Sequence, residues 1–429
     1  MSPNPLGQYT RRIIDDELDG VLSTLPAVSL EGPRGVGKTA TAEQRATTVF
    51  SLDDPAQRNV VAADPGIVLA ARAPVLIDEW QRVPAVWDIV RRAVDRGSGA
   101  GRFILTGSAG PATPPSHSGA GRIVTLRMRP MTLDERGLAT PTVSLAAVLT
   151  GQRPTVSGTT DVGMRDYVDA IVASGFPGFR HLRERSHRRQ IDGYLRRIID
   201  VDFRDAGRDV RRPALLERWL AAYAAATATT SSFETIRDAA TAGHREKPAK
   251  TTTMPYRDVL EGLWIVEPLP AWLPTRNRLT RLAQAPKHHL ADPALAVGLL
   301  GLDAPSLLAG GGPTPATVRD GPLLGRLFES LVTLGVRVFA QAAEARVFHL
   351  RQQGGRRETD LIVERRDQRV VAIEVKLGNA VEDEDVRHLA WLRENLGPAC
   401  LDALVVHTGH QAYRRPDGIA VVPAALLGA

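Results

Sequence analysis

Residues 27–39 read AVSLEGPRGVGKT, a short apolar run followed by a glycine-rich loop. The loop fits the pattern G-x-x-x-x-G-K-[ST], and an alanine-rich stretch that favours a helix follows it. A strand, a glycine-rich loop and a helix in this order form a phosphate-binding loop, in which backbone N–H groups surround the phosphates. The motif therefore predicts ATP binding, with contacts from Gly32, Pro33, Arg34, Gly35, Val36, Gly37, Lys38, Thr39 and Ala40.

The motif also predicts roles for Lys38 and Thr39, and a phosphate loop needs an acidic residue from elsewhere in the chain to hold the metal. We expect Lys38 to reach the β- and γ-phosphates and the Thr39 hydroxyl to bind Mg²⁺. Asp78 and Glu79 follow the apolar run 75–77, and ligands bind beyond the carboxyl ends of parallel strands. We therefore expect Asp78 to contact Mg²⁺ and Glu79 to orient and polarise the attacking water.

Three further residues are candidates for nucleotide contacts. The stretch GRFILTGS, residues 101–108, is typical of a strand, and its last residues include Thr106 and Ser108. Their hydroxyls are candidates to sense the γ-phosphate. Arg122, in the loop sequence GAGRI, is a candidate arginine finger for the nucleotide of its own chain or of a neighbouring subunit.

The order of these motifs resembles that of a large family of prokaryotic AAA-type ATPases with a C-terminal domain of unknown function, DUF4143. The shared blocks are GPRGVGKT, LIDEWQRVP, RFILTGS, HSGAGRI, RPMTLDE, YVDAIVASGFPGF, YLRRIIDVDF, GRLFESLV and ETDLIVERRDQRVVAIEVK. The resemblance implies ATP binding and a helical lid after the ATPase core. It is weakest over residues 137–160, which we expect to be a surface insertion or linker.

Lysine is scarce in this chain. Lysine is compact and can give up its proton, whereas a guanidinium is planar and stays charged. A position that keeps lysine in an arginine-biased chain is therefore a candidate for chemistry. Of the 54 lysine and arginine residues, the lysines are Lys38, Lys247, Lys250, Lys287 and Lys376.

Lys376 ends the stretch ETDLIVERRDQRVVAIEVK, residues 358–376. Polar and apolar residues alternate on both sides of RRDQ, which predicts a hairpin with one buried face. Asp360 and Glu374 are equidistant from Asp367, so their side chains should lie opposite each other. Glu374 and Lys376 should share a face of the strand, because side chains alternate with a period of two.

This set of residues resembles the PD-(D/E)XK nuclease superfamily. The resemblance implies that Asp360 and Glu374 bind Mg²⁺ together with the backbone carbonyl of Val375, and that Lys376 positions or helps to deprotonate the attacking water. Glu329, in the helix-like stretch GRLFESLV, matches the acidic residue that this superfamily carries on its first helix, and it would be a further Mg²⁺ ligand. The same fold also serves proteins that only bind nucleic acid, so cleavage and binding are both open.

The composition is that of a soluble globular protein, with 43% hydrophobic and 24% charged residues. A single cysteine, Cys400, excludes internal disulfides and cysteine-based zinc clusters. The net charge of +6 and the pI of about 9.7 agree with DNA or RNA as a partner. No apolar stretch is long enough to cross a membrane, and the N-terminus lacks the apolar core of a signal peptide, so we expect a cytoplasmic protein. The oligomeric state is open.

The sequence thus predicts an α/β multidomain protein. A P-loop ATPase core with a parallel sheet is expected over residues 1–136, and a linker and helical lid over 137–205. Two helix-like stretches followed by strand-like sequence predict a winged-helix-like domain over 206–288. An α/β domain of restriction-endonuclease-like fold, the DUF4143 domain, is expected over 289–429.

Three functional hypotheses follow. The leading one is an ATP-hydrolysing protein whose nucleotide state controls a Mg²⁺-dependent, nuclease-like domain acting on nucleic acid. The second is a nucleotide-switched interaction protein with a non-cleaving C-terminal domain, in a defence or toxin-antitoxin setting. The third is a motor that remodels protein partners.

Overall fold

The computed structural model describes residues 9–108, 119–180, 182, 184–208, 210, 212–242, 250–274, 284–309, 321–352 and 357–429. Residues 109–118, which precede Arg122 in the chain, lie outside these ranges, and so does Lys247. None of the described helices combines the length and the apolar character that crossing a membrane requires.

The N-terminal part of the chain forms a fully parallel sheet with the spatial order β2-β3-β4-β1-β5. Because β4 lies between β1 and β3, the carboxyl ends of these three strands meet at one edge. The strands are β1 (Ala27–Glu31), β2 (Thr48–Ser51), β3 (Val75–Asp78), β4 (Phe103–Gly107) and β5 (Val124–Arg127). The accompanying helices are α1 (Ile14–Leu22), α2 (Lys38–Glu43), α3 (Pro55–Ala63), α4 (Ile67–Ala70) and α5 (Ala85–Asp95).

Both faces of this sheet are buried, which explains why its strands read as continuous apolar runs. Successive residues of a strand point to opposite faces. Leu76 and Ile104 accordingly belong to one hydrophobic cluster, while Ile77 and Leu105 belong to another. The packing on both faces fixes the strands whose ends carry the predicted site residues.

A mainly helical region follows. After the helix that ends at Gly262, antiparallel bridges join Val266 to Leu290 and Leu269 to Lys287. They form a short extended pairing next to the helices. The winged-helix-like assignment of this region stays a prediction. The helices are α6 (Leu145–Leu149), α7 (Met164–Ala173), α8 (Glu184–Arg197), a π-helical turn (Ile198–Asp202), α9 (Phe203–Asp205), α10 (Pro213–Ala225), α11 (Phe233–Ala240), α12 (Lys250–Gly262), α13 (Pro293–Leu299) and α14 (Ala304–Ala309).

The C-terminal part contains a mixed sheet with the order β7-β13-β14-β12-β11-β10-β9-β8. Strands β9, β10 and β11 form an antiparallel meander, and β12 joins β11 in parallel after a helix. The strands are β7 (Gly158–Thr159), β8 (Ala271–Trp272), β9 (Arg346–Arg351), β10 (Glu358–Glu364), β11 (Val370–Lys376), β12 (Cys400–His407), β13 (Gln411–Arg414) and β14 (Ala420–Pro423). Helix α15 (Gly321–Ala342) precedes the meander, and α16 (Asp383–Leu396) connects β11 to β12.

The segment 137–160 differs from the surface insertion or linker expected from the sequence. Its short strand β6 (Val143–Ser144) pairs with β15 (Leu427–Gly428), and β7 pairs with β13 at the edge of the large sheet. Helix α6 buries Leu145 and Val148 against the C-terminal part. These strands have only two residues each and their partners are far away in the chain, so no local pattern indicates them.

A buried ion cluster joins the two sheets through the helical region. Glu267 follows α12. Its carboxylate oxygens lie 3.0 Å from a guanidinium nitrogen of Arg127, 2.8 Å from one of Arg129 and 3.4 Å from one of Arg337. Burial acts to raise the pKa of Glu267, but Arg129, Arg337 and Arg127 outweigh it and lower this pKa well below its ordinary value of 4.5. The carboxylate therefore stays ionised between the end of β5 and the helix α15.

Gln341, near the end of α15, adds neutral hydrogen bonds to this junction. Its side-chain oxygen accepts from Arg129 at 2.7 Å, and its amide donates to Glu17 at 2.8 Å and to the carbonyl of Arg127 at 3.0 Å. Helix α15 is thereby fixed to α1 and to the residues that follow the strand beside the phosphate loop.

Replacement of Glu267 by glutamine tests the ion cluster. The change leaves three guanidinium groups without their counter-charge, and we expect the free energy of unfolding to fall by about 3–5 kcal/mol. Because the folded pKa of Glu267 is depressed, its ionised form contributes stability above pH 4.5, which is lost as the pH falls through the folded pKa. The wild type should therefore lose more stability in acid than E267Q, as measured by denaturant unfolding from pH 7 to pH 3.

Glu344→Gln is the matched control, since its carboxylate is largely exposed and pairs with an exposed Arg366. We expect this change to alter stability by less than about 0.5 kcal/mol. Equal stabilities and equal acid profiles for E267Q and E344Q would show that the buried cluster contributes nothing.

Candidate nucleotide-binding site and carboxylate cluster

The glycine-rich loop begins where β1 ends, and its three glycines, Gly32, Gly35 and Gly37, have backbone angles that other residues avoid. Gly32 has φ 154° and Gly35 has φ 78°. A Cβ atom on Gly32 would lie 2.2 Å from the carbonyl oxygen of Met128, just beyond β5. A Cβ on Gly35 would meet nothing within 4 Å. Gly32 thus allows the loop to pass directly against the backbone of a neighbouring segment.

Lys38 lies at the centre of the loop and is only 6% exposed. Its ammonium donates to the carbonyls of Gly32 at 2.8 Å and of Pro33 at 3.0 Å. Burial lowers the pKa of Lys38 to about 8, although the carboxylates of Glu79 and Asp78 oppose this shift. The loop therefore surrounds the Lys38 ammonium, and a cation in this position is what phosphate binding requires.

The structure brings three of the predicted oxygen-bearing side chains together. The Thr39 hydroxyl donates to Asp78 Oδ1 at 2.8 Å, and the Thr106 hydroxyl donates to the same oxygen. Asp78 is 7% exposed and Thr106 is fully buried. The order of β3, β4 and β1 explains this contact, because the strand that carries Thr106 lies between the other two.

Glu79 follows Asp78 in a left-handed backbone conformation, with φ 54° and ψ 43°. Such a conformation costs a residue other than glycine about 1–2 kcal/mol, and strain of this kind is found mainly at functional sites. Its carboxylate accepts from Gln81 at 2.6 Å and from Ser108 at 3.5 Å. The turn thus directs Glu79 away from the strand and toward Ser108 at the carboxyl edge of the sheet.

Arg122 lies at the opposite edge of this sheet. Its guanidinium donates to Asp95 at 2.8 Å, at the end of α5, and to the carbonyl of Ala120 at 3.1 Å. Arg122 also precedes β5, which runs parallel to β1, whereas the phosphate loop follows β1. The structure therefore does not bring Arg122 to the loop of its own chain, and an arginine finger from a neighbouring subunit stays a prediction.

Two arginines join the loop to other segments of the chain. Arg12, 5% exposed, donates to the carbonyl of Val36 at 3.1 Å and to that of Arg129 at 2.8 Å. Arg34, a loop residue, pairs with Asp202 of the π-helical turn at 3.4 Å. Neither contact has a local sequence signal, because each joins segments more than twenty residues apart.

The second site lies on the predicted hairpin, which forms as expected. Leu361 pairs with Ile373, and Asp360 and Glu374 are the neighbours of this pair on the two strands. Asp360 is 9% exposed, and its Oδ2 accepts from the amide of Val375 at 2.9 Å. The Oε2 atom of Glu374 is buried and has no hydrogen-bond partner among the described residues.

The ammonium that contacts Asp360 belongs to Lys287, not to Lys376. Lys287 Nζ lies 2.8 Å from Asp360 and 2.9 Å from Glu329, and 3.5 Å from Glu358. We call Lys287 and the carboxylates of Glu329, Glu358, Asp360 and Glu374 the carboxylate cluster. The scarcity of lysine was the signal that could have identified Lys287.

The charges in the cluster shift one another's pKa values. Burial raises the pKa of Glu329 to about 8, and Asp360 adds to this shift. Burial, again with Asp360, raises the pKa of Glu374 well above its ordinary value. Burial acts to lower the pKa of Lys287, but Asp360, Glu329 and Glu358 outweigh it and raise this pKa. The lysine therefore remains charged.

Lys376 shares the strand with Glu374 but pairs elsewhere. Its ammonium lies 3.2 Å from Asp385, in the first turn of α16, and its side chain is 35% exposed. Lys376 was predicted to lie at the carboxylates because the strand pattern alone indicated its position. The structure adds α16, whose acidic first turn provides a partner nearer to water.

The two sites differ in how well they fit Mg²⁺. At the loop, the Thr39 hydroxyl and the Asp78 carboxylate supply adjacent oxygen ligands, the kind that Mg²⁺ prefers. In the carboxylate cluster, Lys287 already occupies the space between Asp360 and Glu329. No three His, Cys, Asp or Glu side chains within the described ranges are arranged to hold a metal ion. The Mg²⁺ set predicted at Asp360, Glu374 and Glu329 therefore does not fit this geometry.

Three family models match consecutive parts of the chain. An AAA domain matches residues 25–136, and two domains of unknown function, DUF8612 and DUF4143, match residues 164–306 and 324–427. The chain thus carries an AAA-type P-loop ATPase domain of α/β fold, followed by a C-terminal DUF4143 domain. This arrangement confirms the family resemblance that the motifs predicted.

The chain is also similar to two mycobacterial proteins, described as uncharacterized protein Rv2008c of Mycobacterium tuberculosis and uncharacterized protein Mb2031c of Mycobacterium bovis. Each is 26% identical over 300 residues, which cover 68% of this chain and 60% of the relative. The matched part of the chain thus spans 60% of the length of these relatives.

Among solved structures, the Walker-type ATPase PABY2304 of Pyrococcus abyssi matches with a TM-score of 0.39 and 15% identity, covering 66% of this chain and 94% of that one. The ORC2 protein of Aeropyrum pernix, in its ADPNP and ADP complexes, matches with a TM-score of 0.30 and 14% identity. That match covers 70% of this chain and 94% of the archaeal one.

A comparison of two glycine substitutions tests the geometry of the loop. Gly32→Ala meets both an unfavourable φ and the Met128 carbonyl, so we expect ATP affinity to fall about 100-fold, or about 2.7 kcal/mol. Gly35→Ala meets only the unfavourable φ and should lose about tenfold, corresponding to about 1–2 kcal/mol. Titration with a fluorescent ATP analogue measures both, and equal losses would contradict the close approach at Gly32.

Proposed function

We propose that this protein hydrolyses ATP at the glycine-rich loop and that its nucleotide state controls the C-terminal domain. Backbone amides of residues 34–40 and the Lys38 ammonium hold the phosphates. Glu79 orients and polarises the attacking water, and the hydroxyls of Thr106 and Ser108 sense the γ-phosphate. The burial of Lys38 and the strained backbone of Glu79 support these roles.

Thr39 and Asp78 would hold the Mg²⁺ that accompanies ATP. When bound, the ion neutralises charge on the phosphate oxygens. The hydroxyl and the carboxylate already lie 2.8 Å apart, and Thr106 holds the same carboxylate from the neighbouring strand. These contacts place the two ligands beside Lys38 at one edge of the sheet.

A series of contacts that runs from the loop to α15 supports the proposed control of the C-terminal domain. Gly32 lies against Met128, whose neighbours Arg127 and Arg129 bind Glu267 and Gln341. Helix α15, which carries Gln341, also carries Glu329 into the carboxylate cluster. A shift of the loop on nucleotide binding would thus act on a helix that also contributes Glu329 to the second site.

We further propose that the C-terminal domain has a nuclease-like fold and binds nucleic acid without cleaving it. The sequence of α15, an antiparallel meander, α16 and the parallel strand β12 supports a single α/β unit around the cluster. The net charge of +6, which belongs to the chain as a whole, is compatible with a polyanionic partner. The position of Lys287 between the carboxylates favours binding over metal-dependent cleavage.

Cleavage is the second candidate function, supported by Asp360 and Glu374 flanking the Leu361–Ile373 pair and by Glu329, which shares the Lys287 ammonium with Asp360. In that case Lys376 would act on the attacking water. The two candidates make opposite predictions for the same assay.

The coupling proposal predicts an effect of ATP on α15. Glu79→Gln should bind ATP normally while hydrolysing it at least about 100-fold more slowly, because the water is no longer activated. In this trapped state, ATP should change hydrogen exchange of the backbone in α15 and β10, as measured by mass spectrometry.

Three variants serve as controls. Lys38→Ala should lose the ATP-dependent exchange, and Glu217→Gln, an exposed change on α10, should behave as wild type. Adding Gln341→Met to the trapped protein should leave ATP binding intact and remove the exchange effect in α15. Exchange that changes only within residues 9–108 would contradict the coupling.

The binding proposal predicts association without cleavage. Labelled single- and double-stranded DNA and RNA should bind with an affinity that falls as salt rises, measured by fluorescence anisotropy. With Mg²⁺ or Mn²⁺, with or without ATP, the strands should stay intact on a denaturing gel. Cleavage that Lys376→Ala and Glu374→Gln abolish, with ATP hydrolysis unchanged, would establish the nuclease instead.

A further inference from the structure

Lys287 has the surroundings of an ion held by a binding site. Its side chain is 2% exposed, and its ammonium contacts Asp360 at 2.8 Å, Glu329 at 2.9 Å and Glu358 at 3.5 Å. An ammonium has three N–H donors and no acceptor. The ammonium donates hydrogen bonds to Asp360 and Glu329 and forms an ion pair with Glu358, so acidic oxygens surround it as they surround a bound cation.

The backbone that carries Lys287 is also fixed. Its amide donates to the carbonyl of Leu269 at 2.9 Å, and its carbonyl accepts from the amide of Leu269 at 2.8 Å. The next residue, His288, is buried and donates through its backbone to Thr229 at 2.9 Å. Departure of the ammonium from the cluster would break a paired segment or leave a buried charge without a partner, which is costly.

We propose that Lys287 is the built-in cation of the carboxylate cluster, that it takes the place of a divalent metal between Asp360 and Glu329, and that the C-terminal domain therefore works without a bound metal. The ammonium satisfies the same oxygens that a metal would need. It also repels a second cation at this distance. This inference stands independently of ATP hydrolysis at the loop.

Lys287 and the carboxylates of the cluster come from two different matched segments of the chain. Lys287 lies in the segment matched by DUF8612, whereas Glu329, Glu358, Asp360 and Glu374 lie in the segment matched by DUF4143. The cluster is thus completed across two parts of the chain. Lys376 does not duplicate the role of Lys287, because its ammonium pairs with Asp385.

Replacement of Lys287 by methionine tests the proposal, because methionine has a similar length and no charge. Binding of Mn²⁺ to the full chain is followed by electron paramagnetic resonance, without nucleotide so that the loop does not contribute. We expect no Mn²⁺ at the cluster of the wild type at millimolar metal. We expect K287M to gain one bound ion, and K287M/E374Q to lose it.

Further variants and a second readout keep the test decisive. Lys376→Met should gain no site, since that lysine is outside the contacts described above. If K287M is unstable without metal, Mn²⁺ should raise its melting temperature and leave that of the wild type unchanged. The inference is overturned if the wild type binds an ion that E374Q loses, because metal then displaces the lysine. It is also overturned if K287M folds and gains no site.

Discussion

The buried carboxylate of Glu267 is the point on which the arrangement of this molecule depends. Three guanidinium groups from two distant segments contact it. Arg127 and Arg129 lie at the end of β5 and just after it, and Arg337 lies on α15. A buried charge requires partners at short range, so the segments that carry them have little freedom to separate. The nucleotide site and the carboxylate cluster are thereby held in one fixed relation through a single helix.

The two buried lysines show two uses of the same side chain. Lys38 donates to neutral carbonyls, which leave its charge uncompensated and available to an incoming anion. Lys287 donates to carboxylates, which neutralise it in place. The first environment lowers the pKa and the second raises it, although both side chains are removed from water. The partners therefore decide whether a buried lysine recruits a ligand or replaces one.

Local patterns predicted much of both sites. The loop motif and the apolar strand before Asp78 indicated a common edge, and the hairpin register followed from the equal distances of Asp360 and Glu374 from one turn residue. What the sequence could not indicate depends on pairings between distant segments. Lys287 joins the cluster through a bridge to Leu269, and the strands β6 and β7 are too short to have a period. The partner of Lys376 on α16 was missed for the same reason.

The large sheet does not end where the matched C-terminal family begins. Strand β8 adds to its edge beside β9, β7 adds to the other edge beside β13, and β6 pairs with the last strand of the chain. A fragment starting at residue 324 would expose both sheet edges, and its carboxylates would have lost their cation. Recognition by sequence and independent folding thus have different boundaries here. The strands that complete the C-terminal unit thus include residues that precede the matched segment by more than a hundred positions.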